Sequence, residues 1–523
     1  MINFVQQRKI NIHSNDIFAP KRIVLCGDIV TMNDDHDVIL NGSLCIEGKI
    51  IKAILREGEQ LPNEFQDIIP TVINGTIYPG LFDLHNHLPY NMIPLWNVEK
   101  TFNNRKEWQR IPEYYPAVSA PFGLLNNHKD TDYRRAIIRF TECRNLFGGV
   151  TTGHGMGLTK DVTYDGLMRN IEKPLVTELP TVKSKTPDFN ADGLKDMLQW
   201  TGEGKPFIYH LSEGVDEDAR ERFKDLERAT GALNSHLICI HCVDLEAEDF
   251  DSLRAVAGVV WSPTSNLLLY GKTCKITEAK KNEIPIAIGA DWSPSGCKNI
   301  LGELKVAYAV NEHLGKVLTE RELVAAVTST PAKMIGWDHC LGSIESGKWA
   351  DLLILEGTGD NHYIRLIQAK ETSIRAVIID GRVRLAEENN MIIADSATIE
   401  KIVVGGKTFL IDLVEENDMG VGGITLNDAI NKIQYGLENL PQFEAEQKQN
   451  ILESAHFKRS DDQWYLEDEM HDDNFLELLA RENNLPAKAM VLQPMTAVDD
   501  PKFKELMRAS INMPEYAKAA FHD

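Results

Sequence analysis

Pro206-Phe-Ile-Tyr-His210-Leu-Ser-Glu213-Gly214 is a short apolar run that ends in a histidine and then breaks on polar residues. Thirty-one residues after that histidine the pattern returns as Leu237-Ile-Cys-Ile-His241. Runs of this kind read as strands buried on both faces of a parallel sheet, and the polar, helix-like stretch 216–229 between them as the crossover. Outward in both directions the alternation continues. Further strand candidates are 80–87, 149–152, 174–178, 258–261 and 284–289, with helix-like stretches such as 131–147 and 320–327. Alternating β and α units over this length predict an α/β protein with a closed (β/α)8 barrel of the TIM type. Seven strands are legible, and the eighth is expected within 178–206.

The flanks have a different texture. Short β-branched runs separated by Asn, Asp and Gly turns occupy 22–26, 37–40 and 42–54, and matching runs lie far downstream at 350–355 and 374–383. The two ends are therefore expected to build one small sheet domain, from residues 1–78 and 339–410, around a barrel at 79–338. Beyond 411 the chain carries 23 acidic and 10 basic residues and helix-like segments. This stretch reads as a solvated acidic helical extension, with an oligomerisation or lid element as the alternative.

Composition excludes several classes. The 523 residues carry a net charge of −23, which disfavours nucleic-acid and anionic-membrane partners. No apolar run is long enough to span a bilayer, and residues 1–9 lack the apolar core of a secretory signal. Eight scattered cysteines, with a single Cys-x-x-Cys pair at 239 and 242 inside an apolar run, suggest neither a disulfide framework nor a zinc knuckle. A reducing, cytoplasmic setting is expected. The glycine cluster at 148–155 lacks the spacing and lysine of a phosphate loop.

Chemistry concentrates at the strand ends. Gly80-Leu-Phe-Asp-Leu-His85-Asn-His87 places two imidazoles two residues apart, on one face of a strand, and imidazole is a common ligand of zinc and iron. His210 and His241 end neighbouring strands. Glu213 follows His210 by three residues, where the chain leaves the strand and reaches over the barrel mouth. Asp291 ends the run Ile284-Pro-Ile-Ala-Ile-Gly-Ala. Any one of these could be a helix cap or a core histidine. Four His and one Asp, each at the C-terminal end of an expected parallel strand, point jointly to an active site.

These pieces, with Gly149-Val-Thr-Thr, Trp261-Ser-Pro-Thr-Ser-Asn-Leu and the order Thr330-Pro-Ala-Lys-Met-Ile-Gly then Gly342-Ser-Ile-Glu-Ser-Gly-Lys-Trp-Ala-Asp-Leu, resemble the amidohydrolase superfamily, in its cytosine deaminase and triazine hydrolase branch, over residues 22–405. The resemblance implies a barrel inserted in a composite β-sandwich. It implies one divalent metal, zinc or iron, held by His85, His87, His210 and Asp291, with Glu213 as proton shuttle and His241 beside the reacting atom. Two-metal branches use a bridging carboxylated lysine. Lys183 and Lys185 are candidates, but neither lies on a legible strand, and the His-x-x-Glu element favours one metal. After His87 the chain departs from the branch with a long aromatic stretch carrying Trp96, Arg105, Trp108, Arg110 and Tyr115. Trp96, Trp108, His154 and Trp292 are expected at the substrate pocket, the alternative being that they only pack the loop or the core.

The implied function is hydrolysis of a non-peptide carbon–nitrogen bond in a small-molecule substrate, favoured as deamination of a heterocyclic amine. Amide or cyclic-amide hydrolysis is the rival on the same site. A non-catalytic scaffold is the rival of another class, since fold alone never establishes activity. A homo-oligomer is compatible with the sequence.

Overall fold

The computed structural model describes residues 21–35, 37–159, 166–359, 361–388, 399–415, 421, 423–453, 464–470, 475–480 and 485–522. Residues 1–20 of the expected N-terminal domain lie outside them. Strands β1 (Arg22–Val30), β2 (Val38–Glu47), β3 (Ile50–Leu55) and β4 (Thr71–Pro79) join β13 (Leu352–Glu356), β14 (Ile374–Ile379), β15 (Arg382–Glu387), β16 (Ile399–Val404) and β17 (Lys407–Asp412) in one nine-stranded sheet. The two ends of the chain meet where β4 runs antiparallel to β13, from Leu352 opposite Pro79 to Glu356 opposite Gly75. Alternating residues such as Ile29, Leu44, Ile46, Ile77, Ile354 and Ile378 form the core on one face. The sheet thus runs continuously through both halves, and β17 extends past residue 410.

Between β4 and β13 lie the barrel strands β5 (Leu81–Asp83), β6 (Val150–Gly153), β7 (Arg169–Asn170), β8 (Lys183–Lys185), β9 (Phe207–Leu211), β10 (Leu237–His241), β11 (Gly258–Trp261) and β12 (Ile286–Ile288). All ladders between them are parallel, in the orders β5-β6-β7 and β8 to β12. The Val182 amide donates to the Ile171 carbonyl at 3.0 Å and bridges the two groups. On the other side the Asp291 amide donates to the His85 carbonyl at 2.7 Å, and Asn86 pairs with Asp291. The barrel therefore closes between two of the residues singled out for chemistry.

The eighth strand lies in the interval expected, as β8. The third does not: 174–178 forms turns, and its place is taken by the two-residue β7. Leu175 and Val176 made an apolar signal, yet the barrel needs only a short register there, and Met168 and Ile171 supply the buried residues. Helix starts follow local chemistry. The Asp216 side chain accepts from the Ala219 amide, Asn190 accepts from Gly193, and Thr319 with Glu322 forms a reciprocal capping box.

Over its described residues the acidic C-terminal stretch is packed, not solvated. Leu426, Ala429, Ile433 and Leu437 line one side of the helix Leu426–Glu438, and all are buried. Further on, the Lys298 ammonium, fully buried, meets Asp500 at 2.5 Å and the Thr496 carbonyl at 3.1 Å. One carboxylate, Glu371, accepts from the amides of Ala497, Val498 and Asp499. No helix among the described residues is long and apolar enough to cross a membrane.

Candidate active site

The ends of β5, β9, β10 and β12 converge. His85, His87, His210 and Asp291 are 0, 1, 2 and 4% exposed. His85 Nε2 lies 3.1 Å from His210 Nε2 and 3.3 Å from Asp291 Oδ1, while His87 Nε2 lies 3.3 Å from His210 Nε2 and 3.7 Å from Asp291 Oδ1. Zinc–nitrogen bonds of about 2.0–2.1 Å put neighbouring donors of a tetrahedron about 3.3 Å apart. Four of the donor–donor distances thus lie near that spacing, and His85, His87 and Asp291 form one three-residue donor group with His210 beside it.

Hydrogen bonds on the far side of each ring say which nitrogen is free. His210 Nδ1 faces the Lys185 carbonyl at 3.3 Å, and His87 Nδ1 faces Glu469 Oε2 at 3.0 Å. The Lys185 carbonyl only accepts, so His210 Nδ1 carries the proton and its Nε2 keeps its lone pair; Glu469, which burial pushes up, accepts from His87 Nδ1 in the same way when ionised. His85 Nδ1 lies 2.6 Å from Ser262 Oγ, a hydroxyl that can accept a proton from it in the same sense. Burial holds all three imidazoles below their ordinary pKa, His87 at about 4, so they are neutral donors of lone pairs. Burial also pushes the Asp291 carboxyl well up, a cost that a cation among these four groups removes. The donor set fits a divalent metal.

His241 is geometrically close enough to join His85 and His210 in a second three-residue donor group. Its hydrogen bonding is opposite. The Asn266 amide nitrogen lies 2.8 Å from His241 Nδ1, and Asn266 Oδ1 is occupied by the Thr273 hydroxyl at 3.3 Å. Nδ1 therefore accepts, and His241 Nε2 carries a proton, which makes it a hydrogen-bond donor toward the cavity. That Nε2 is 3.6 Å from Glu213 Oε2.

Glu213 overhangs the cluster without joining it. Its Oε1 accepts from the Tyr270 hydroxyl at 2.7 Å, and its Oε2 is 3.5 Å from the Arg105 guanidinium. Trp108 Nε1 in turn donates to the Tyr270 oxygen at 2.8 Å. Burial raises the Glu213 pKa, and Arg105 opposes the rise. The backbone is strained around this rim: Ser212, His241, Cys242 and Asp291 have φ of 49°, 67°, 51° and 59°. Positive φ at a non-glycine residue costs on the order of 1–3 kcal/mol and clusters at functional sites.

The aromatic candidates separate. Trp292 stands edge-on to His87, with centroids 6.1 Å apart, and tilted against Trp108 at 5.8 Å. Trp96 instead stacks on Phe102 at 6.0 Å and packs the loop. His154 is buried beside the cluster, its Nδ1 accepting from the Asn86 amide at 3.4 Å and its Nε2 3.7 Å from Glu172. Ser184 is the inward residue of β8, its hydroxyl 2.5 Å from Glu172. Lys183 points out to Asp196 at 2.8 Å, and the Lys185 stem lies against the outer helix at Gly193. A cleft of about 690 Å³ lies along β8, lined among others by Glu172, Lys183, Ser184, Lys185, Glu467 and Glu469, and it reaches the cluster through Glu469 beside His87.

Sequence reading missed Tyr270, Ser262, Asn266, Glu172 and Glu469. Ser262 and Asn266 lie inside the quoted Trp261-to-Leu267 motif, so a signal existed. Tyr270 and Glu469 had none.

Residues 76–408 match the family model described as the Amidohydrolase family. The chain is 26% identical over 374 residues to a guanine deaminase from Escherichia coli (strain K12), covering 58% of this chain and 82% of the relative. It is 28% identical over 421 residues to a 5-methylthioadenosine/S-adenosylhomocysteine deaminase from Thermoanaerobacter pseudethanolicus, covering 72% and 95%. Among solved structures, an adenosine deaminase from Xanthomonas campestris with bound zinc superposes with a TM-score of 0.55 at 18% identity, over 72% of this chain and 95% of that one.

Proposed function

Because the chain belongs to the amidohydrolase family, and is a hydrolase, we propose that it removes an exocyclic amino group from a purine-like heterocycle by metal-assisted hydrolysis. The observation that carries this reading is the convergence of His85, His87, His210 and Asp291 beneath an uncoordinated Glu213. Those four residues would hold one divalent ion, zinc or iron. Ser184 at the inward position of β8, with both lysines turned outward, supports a single ion rather than a lysine-bridged pair. When bound, such an ion lowers the pKa of water from 15.7 to about 7 and supplies the nucleophile at neutral pH.

The protein's own groups do the rest. Glu213 takes a proton from the attacking water on Oε2, while Oε1 stays anchored to Tyr270. It then passes that proton to the departing nitrogen; an ionised carboxylate has none to give until it has accepted one. Its raised pKa brings it closer to the matched range for such a transfer. His241 donates from Nε2 to the charge that develops on the ring or oxygen beside the reacting carbon. Trp108 and Trp292, both fully buried, brace Tyr270 and the His87 ring and help exclude water from beneath the site.

The test uses the zinc-loaded enzyme and ammonia release from a panel of aminated purines, nucleosides and triazines. Glu213→Gln should lose at least about 10²-fold in turnover with its metal retained, the low end for general acid–base catalysis. His210→Ala should lose metal and activity together. Metal loss in Glu213→Gln would make Glu213 a ligand, and near-normal turnover would route the proton elsewhere. Opening of cyclic amides without ammonia release would favour the amide-hydrolase reading.

A further inference from the structure

We propose that Glu469, carried by the C-terminal extension, is a positioning residue that orients His87 for the metal; this rests on the metal reading above. The segment 464–470 is laced to the barrel mouth. The Thr159 amide donates to the Tyr465 carbonyl at 2.8 Å, Leu158 pairs with Leu466, and the Glu467 amide donates to the Gly157 carbonyl at 2.9 Å. Both polar ends of the Asn126 amide engage the Leu466 backbone, at 2.9 and 3.0 Å. The Tyr90 hydroxyl donates to Asp468, and Gln109 donates to the Met470 carbonyl at 2.6 Å. Glu469 is held between these anchors, 12% exposed, with Oε2 at 3.0 Å from His87 Nδ1.

The three ligand histidines differ in where their acceptors come from. His85 and His210 lean on Ser262 and on the Lys185 carbonyl, both within the barrel. His87 alone takes its acceptor from beyond the family-matched span, which ends at residue 408. The acceptor there is also the only carboxylate of the three. A carboxylate on Nδ1 fixes the tautomer and ring plane and raises the basicity of Nε2, and removing such a partner typically costs about 10–100-fold in metal affinity. The extension therefore completes the metal centre.

The experiment is zinc affinity of the full chain, with zinc alone as probe in competition with a chromogenic chelator. Glu469→Ala should weaken binding about 10–100-fold. Glu469→Gln, which keeps an uncharged acceptor, should weaken it less, by several-fold, and Glu505→Gln, exposed elsewhere on the extension, should leave it unchanged. In the zinc-loaded protein the downfield His87 Nδ1–H resonance should persist in Glu469→Gln and vanish in Glu469→Ala. Wild-type affinity in Glu469→Ala, with His87→Ala impaired, overturns the role of Glu469 and leaves the centre intact. Wild-type affinity in His87→Ala overturns the centre itself. Should Glu469→Ala fail to fold, Glu469→Gln decides: wild-type affinity there overturns the proposal.

Discussion

Replacing Gly289 with alanine should damage the metal centre without adding or removing a functional group. Gly289 follows β12 and passes directly over His85. A Cβ at that position would lie 2.4 Å from His85 Cβ, 2.8 Å from its amide nitrogen and 3.0 Å from its Cα. Ordinary contact begins at 3.4 Å, and two of the three atoms struck are backbone, so no rotamer change relieves the clash. His85 must retreat by roughly 1 Å, against a metal–ligand tolerance of about 0.2 Å. Its Nε2 would leave the 3.1 and 3.3 Å spacings it keeps with His210 and Asp291. A displacement of about 1 Å typically costs about 10²-fold in rate, and overpacking of this kind costs about 1–3 kcal/mol in stability. Zinc affinity should fall toward the upper end of the about 10–100-fold that a disturbed ligand support costs, or about 2.7 kcal/mol at 1.36 kcal/mol per decade. The assay is chelator competition beside thermal melting of the metal-free protein. Gly202→Ala is the control, because a Cβ there meets nothing within 4 Å and no unusual φ is required. Zinc affinity within twofold of wild type in Gly289→Ala, with an unchanged melting temperature, would refute the close-approach argument.

Two more outcomes follow from buried charge. Asp500→Ala strands the Lys298 ammonium among carbonyls and should cost about 3 kcal/mol in denaturant unfolding, near the lower end for a broken buried pair because burial already pushes Lys298 down to about 8; a loss under about 1 kcal/mol would mean that residues 485–522 are not coupled to the barrel. His87 titrates at about 4 when folded and near 6.5 when unfolded, so between those values the unfolded chain binds the extra proton and metal-free protein loses stability as pH falls, by up to about 3 kcal/mol at 1.36 kcal/mol per unit. Asp83 and Glu303, pushed up to about 7 by burial, act in the opposite sense, so the histidine contribution is read as the difference in acid-side slope between wild type and His87→Ala; equal slopes would count against it.

The barrel was legible because parallel strands buried on both faces read as apolar runs, and β9 to β12 were long enough to show it. β7 was not, since two residues leave no periodicity, and the apolar pair Leu175-Val176 nearby imitated a strand. β8 was hidden for another reason: Lys183-Ser-Lys185 turns charged stems outward and a serine inward, the reverse of a hydrophobic signal. Within the site, residues that end strands were recoverable from position. Residues that act through them were not, because Tyr270 and Glu469 reach the cluster from a helix end and a distant loop. The net charge after 411 suggested solvation, but composition averages over faces, and one apolar side per helix suffices to dock the stretch on the barrel.

The pairing of β4 with β13 bears on how the chain comes to be made. β1 to β4 are synthesised first, and β4 is flanked by β1 on one side only until β13 arrives. The whole barrel is translated in between. Throughout that interval β4 presents an open hydrogen-bonding edge beside Ile73 and Ile77, the kind of edge on which chains pair wrongly with one another. Closing it requires contacts of very high sequence separation, which fold slowly. Yield of active enzyme from a ribosome should thus depend on how long that edge waits: slower elongation or an early stop within the barrel would lengthen its exposure, and supplying residues 350–388 in trans would shorten it.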